Sequence, residues 1–211
     1  MAIVVGRIVL SRFGSNTWIL GAAEHASEVA VVDPGGDPAP LLEQLEQDGS
    51  KVGGILVTHT DLDHVEGLAA LVGATGADVW APAGEADLLR EGFARGRYAP
   101  VGAHEPEHEV DDGDTVEVAG MSFEVAGVPG HSEGHIAFCA EGKIFSGDVL
   151  FEGSVGRVDL EGGDWETLLA SIKRLIDRYG PDAVVYPGHG DPTTLGRELA
   201  TNPFLGELRA G

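Results

Sequence analysis

The run Thr58-His59-Thr60-Asp61-Leu62-Asp63-His64 places two imidazoles and two carboxylates side by side. If the backbone stays extended there, His59, Asp61 and Asp63 point the same way, because side chains alternate along a strand. His64 turns off where a helix begins, so one short segment can serve two adjacent metal ions. Alone it would read as an acidic surface loop with two incidental histidines, but the pattern recurs. Pro129-Gly130-His131 and Pro187-Gly188-His189 each set a histidine after a glycine. A glycine there permits unusual dihedrals and lets the backbone bring the ring close to a crowded centre. Ser146-Gly147-Asp148 adds a carboxylate suited to bridging two cations. A water between two divalent cations ionises near neutral pH and becomes a nucleophile for a carbonyl carbon. No Gly-x-Ser-x-Gly elbow competes, and the single cysteine, Cys139, lies in the apolar run Phe138-Cys139-Ala140 and reads as a buried hydrophobe.

These segments follow short apolar runs, as sites at strand ends do. Strands are expected at residues 3–10, 17–20, 29–33, 54–58, 78–80, 115–118, 122–125, 136–140, 143–145 and 183–186. Helices are expected at 40–47, 65–72, 85–90, 165–179 and 193–201, with Asp164 as N-cap and Gly180-Pro181 as stop for the long one. The Gly-, Pro- and Glu-rich stretch 92–112 reads as an irregular, mobile loop. Strand runs in both halves, each followed by helices, fit two sheets covered by helices, an α/β class.

The motifs resemble those of the metallo-β-lactamase superfamily, and within it the short glyoxalase II-like hydrolases. Thr58, His59, Asp63, His64, His131, Asp148 and His189 match the superfamily pattern in order, and Phe145 to Phe151, Gly156-Arg157, Gly162-Gly163-Asp164 and residues 193–204 match the subgroup. The resemblance implies one αββα sandwich domain spanning 1–211, with a two-metal site at one edge. It also implies His59 and His131 on the first metal, Asp63, His64 and His189 on the second, Asp148 bridging, and Asp33 as a buried acid beneath. Arg157 would stand near the site edge and could hold a substrate carboxylate. Where the family has its second histidine, this chain has Asp61, which can reach the same coordination position. A carboxylate is the harder donor and moves preference from zinc towards iron or manganese.

Thirteen Lys and Arg against 35 Asp and Glu leave a formal charge of −22, which disfavours nucleic acid and anionic membrane surfaces as partners. No apolar run approaches the ~20 residues of a membrane span. The start of the chain lacks the features of a secretory signal, so a cytoplasmic protein is expected. The expected activity is metal-dependent hydrolysis of a small thioester by metal-activated water, with Asp63 and Asp148 in the catalytic machinery and two divalent transition metals per chain, zinc first. The alternative is a persulfide dioxygenase-like oxidoreductase with one iron on the counterparts of His59, His131 and Asp148. A nuclease fits the charge poorly, and a non-catalytic binding module is a further reading.

Overall fold

The computed structural model describes residues 2–97 and 99–209, with Arg97 as backbone only. Two mixed sheets of six strands face each other. The first runs in the order β1 (Val4–Val9), β2 (Asn16–Gly21), β3 (Glu28–Val32), β4 (Lys51–Leu56), β5 (Val79–Pro82) and β6 (His108–Val110). Its first three strands are antiparallel and its last four are parallel to one another. The second sheet contains β7 (Thr115–Val118), β8 (Met121–Gly127), β9 (Ile136–Ala140) and β10 (Lys143–Gly147). A small hairpin, β11 (Leu150–Phe151) and β12 (Ser154–Val155), precedes its remaining strands, β13 (Val184–Pro187) and β14 (Thr193–Thr194).

Period-two alternation in these strands builds the layers. Trp18, Leu20, Ala30, Val32 and Leu56 from the first sheet meet Phe123, Val125, Ile136, Phe138 and Phe145 from the second. Their strand neighbours Ile19, Val29, Val31 and Ile55 point outward, against α1 (Ala39–Asp48), α2 (Leu62–Val65), α3 (Leu68–Thr75) and α4 (Ala86–Glu91). On the other side Ala137, Cys139, Ile144 and Val185 pack under α5 (Trp165–Tyr179) and α6 (Leu195–Thr201). Helix, sheet, sheet, helix is the expected sandwich.

Asp164 caps α5 by accepting from the Thr167 N–H at 2.8 Å. Cys139 is buried, and burial pushes its thiol up to about 11. Three expectations need correction. The helix expected at 65–72 is two helices, broken at Gly67, where the chain presses against the Pro34 and Gly36 carbonyls too closely for any side chain. The stretch 92–112 is not an irregular loop throughout: it holds a 3-10 turn (Arg95–Arg97) and the edge strand β6. The segment 193–201 opens as a strand before it becomes α6.

Candidate metal centre

Strands β3, β4, β8, β10 and β13 end at one edge of the sandwich, and the segments that follow them converge there. The donor atoms of His59, Asp61 and His131 lie within 4.8 Å of one another, as do those of Asp63, His64 and His189. Asp148 stands between the two groups. Its Oδ1 is 3.3 Å from His64 Nε2, and its Oδ2 is 3.6 Å from His189 Nε2 and 3.9 Å from His131 Nε2. All seven side chains named from the sequence therefore meet in one cluster.

Backbone and buried acids hold the rings in place. Asp33 accepts from the Thr58 N–H at 2.8 Å and the Thr58 hydroxyl at 2.7 Å, and its Oδ2 lies 3.0 Å from His64 Nδ1. A proton on that Nδ1 leaves the Nε2 lone pair facing the cluster, the arrangement metal-binding histidines use. His59 Nδ1 lies 3.0 Å from the Thr58 hydroxyl, and His131 Nδ1 donates to the Arg157 carbonyl at 2.7 Å. In each case Nε2 is left towards the centre. Among the described residues, His59 Nε2, His64 Nε2 and Asp148 Oδ1 are buried and make no hydrogen bond. Buried polar atoms are normally satisfied, so three orphans aimed at one place are what a cation would complete. The imidazole and carboxylate donors fit divalent transition metals.

Charge in the cluster is strongly coupled. Burial and the neighbouring His64 push His59 well below the ordinary histidine range. Burial opposes charge on His64 as well, but Asp148 and Asp33 outweigh it and raise that ring well above the usual value. Asp148 is also penalised by burial, yet His64 and its neighbours hold the carboxyl at about 2. A hydrogen bond to Asp63 raises His189.

Close approach explains the glycines. A Cβ on Gly188 would stand 2.1 Å from Asp148 Oδ1 and 2.6 Å from the His64 ring. Gly188 is needed for space rather than for unusual dihedrals, whereas Gly130 does adopt a φ of +130°. His135 is fully buried and stacks on His59 with ring centroids 4.4 Å apart. Arg157 contributes its carbonyl to His131, while its exposed guanidinium takes both oxygens of Asp159 at 2.7 and 2.8 Å.

Two residues of the cluster have no counterpart in the sequence reading. Glu85 accepts from the Thr60 N–H and hydroxyl at 2.7 and 2.6 Å and from the Ser132 hydroxyl, tying the two ligand-bearing loops together. Its place just past β5, at the same edge as the other strand ends, was the available signal. Arg95, only 6% exposed, grips Asp61 with both ends of its guanidinium, Nε to Oδ1 and Nη2 to Oδ2 at 2.8 Å. Nothing in the sequence around Arg95 marked it.

The family model described as the metallo-beta-lactamase superfamily matches residues 10–189. The hydroxyacylglutathione hydrolase GloC of Haemophilus influenzae is 34% identical over 189 residues, covering 86% of this chain and 89% of its own. Among solved structures, the BLEG-1 B3 metallo-beta-lactamase superposes with a TM-score of 0.89 at 32% identity, covering 96% of this chain and 100% of its own. The TTHA1623 protein in a di-iron-bound form superposes at 0.81 with 36% identity, covering 95% of this chain and 100% of its own.

Proposed function

Because the chain belongs to the metallo-beta-lactamase superfamily, we propose that it is a glyoxalase II-like hydrolase that cleaves a small thioester. The convergence of His59 Nε2, His64 Nε2 and Asp148 Oδ1, buried at the sandwich edge without a hydrogen bond, carries the reading. His59, Asp61 and His131 would hold one metal, Asp63, His64 and His189 the other, and Asp148 both. Two divalent ions held there would supply a water that ionises near neutral pH and a Lewis acid for the thioester carbonyl. Zinc suits the imidazoles, and iron or manganese suits the extra carboxylate.

The protein's own part is positioning. The Asp63 side chain is partly open to solvent, and its Oδ2 lies 3.2 Å from His189 Nε2. That exposure leaves the carboxylate able to accept a hydrogen bond from a water and so orient it. The Ser15 hydroxyl donates to the Asp63 carbonyl and fixes that stretch of backbone. Beside the His131 loop, Val155, Val158, Trp165 and Phe204 line a recess of about 430 Å³ with Arg157 at its wall. An acyl or thiol group fits such a surface. A substrate carboxylate on Arg157 would have to displace Asp159. The −22 charge supports a small-molecule substrate over nucleic acid or a membrane surface, and no helix among the described residues is long and apolar enough to cross a bilayer.

The test is thiol release from acylated glutathione and other low-molecular-weight thioesters, with an oxygen electrode alongside and a persulfide as second substrate. Turnover should vanish on chelation and return with added metal. Asp148→Ala should cost more than about 100-fold, beyond what outer-shell partners of a metal typically contribute. Oxygen uptake without thiol release would replace this reading with the mono-iron dioxygenase.

A further inference from the structure

We infer that Arg95 is a built-in competitor for the metal position formed by His59, Asp61 and His131, so that this position binds the weaker of the two ions. The inference rests on the metal-centre reading above and concerns a residue outside its ligand set.

Arg95 is held where such an ion would act. Its backbone N–H donates to the Thr60 carbonyl at 2.9 Å, which docks the 3-10 turn on the ligand-bearing loop. Its Nη1 donates to the carbonyls of His131 and Glu161. Its Nη2 lies 2.8 Å from Asp61 Oδ2 and 3.1 Å from His131 Nε2, and those two atoms are 3.0 Å apart. One guanidinium nitrogen thus closes a triangle with two of the three donor atoms. Because His131 gives its Nδ1 proton to Arg157, Nε2 carries the lone pair a metal needs, and Nη2 sits on it. Asp61 shows the same commitment. It occupies the N-cap position of α2, where an aspartate usually accepts from the helix N–H groups, yet makes no such bond. Its carboxylate is turned to Arg95 instead.

The other position has no equivalent. The cationic partners of Asp63 and Asp148 among the described residues are the cluster's own histidines. A divalent ion arriving at Asp63, His64 and His189 meets no guanidinium, only imidazoles whose protons it can displace. One arriving at His59, Asp61 and His131 must displace Nη2 from Nε2 and stand beside a guanidinium within hydrogen-bond distance of its ligands. The cavity beside Arg95, about 320 Å³ and lined by Glu85, Glu133 and Glu161, offers the displaced guanidinium an acidic surface. Filling should therefore be sequential.

The experiment titrates the metal-free chain with zinc against a chromophoric chelator, for wild type, Arg95→Gln and Arg95→Lys. Wild type should bind one equivalent at least tenfold more tightly than the second. In Arg95→Gln the weaker equivalent should tighten at least tenfold while the tighter one stays put, which also reports that the variant is folded. Arg95→Lys should fall between. Independently of any variant, crystals of wild type with one equivalent of zinc should show anomalous density at Asp63, His64 and His189 alone. Equal density at both positions, or a weaker equivalent that is unchanged or lost in Arg95→Gln, overturns the role of Arg95 and leaves the metal centre standing. No zinc uptake at either position overturns both.

Discussion

The Asp33 carboxylate accepts twice from Thr58 and stands 3.0 Å from His64 Nδ1, so one buried acid sets both the ligand loop and a ligand ring. Arg95 holds the Asp61 carboxylate with two hydrogen bonds, so a cation stands beside that ligand position. Charge bookkeeping at that position changes as a result. Asp61 brings a negative charge, but the guanidinium beside it cancels that charge locally, so the pair presents a neutral unit as an imidazole would. Burial works against the Asp61 anion, and the hydrogen bonds and positive charge of Arg95 help to overcome it, keeping the carboxyl well below the usual range. The Asp61→His variant should then fail to increase zinc occupancy, because its ring meets an uncompensated Arg95. The double variant Asp61→His/Arg95→Gln should restore it, as metal analysis after identical reconstitution would show. The seven ligand-type residues were legible because each sits in a short, recognisable segment after an apolar run. Arg95 was not, since one arginine of three in the Gly-rich stretch 90–97 carries no periodicity that singles it out, and its partner lies 34 positions away.

At the scale of elements, the strands that carry the site were readable from β-branched runs, and α5 from its cap, stop and apolar face. Elements of two or three residues, β6, β11, β12 and β14, were not, because so short a segment owes its form to its neighbours rather than to local propensity. The paired helices α2 and α3 show the same limit. Their break comes from the backbone approach at Gly67, a tertiary constraint with no local signature. A similar constraint gives a sharp prediction at the end of β13. Gly188→Ala would drive a methyl group into Asp148 and the His64 ring. Metal content per chain should fall far more than thermal stability does, since the clash moves ligands at an edge rather than core side chains. Inductively coupled plasma analysis beside a thermal melt separates the two effects.

Across the whole molecule, thirteen basic residues face 35 acidic ones, and several of the cations are already spent in pairs such as Arg90 with Asp87, Glu105 and Glu109. Self-repulsion of that size weakens as the Debye length shrinks. The melting temperature should rise when sodium chloride goes from about 0.02 M to about 0.5 M, and kcat/KM for an anionic thioester should rise with it. A flat response in both would show that the surface charge is locally balanced.

The division of the two sheets has a different consequence. The first sheet ends at Val110 and the second begins at Thr115, with Asp111, Asp112, Gly113 and Asp114 exposed between them. His59, Asp61, Asp63 and His64 come before that turn, and His131, Asp148 and His189 after it. Neither metal position can be assembled from one side alone, so each ion acts as a staple between two fragments. A chain cleaved once at an engineered protease site in the turn should stay a single particle in mild denaturant while metal-loaded. Chelation should let the pieces part, as size-exclusion chromatography would show. The same pieces expressed separately would make a fragment-complementation pair whose joining is switched by a divalent ion.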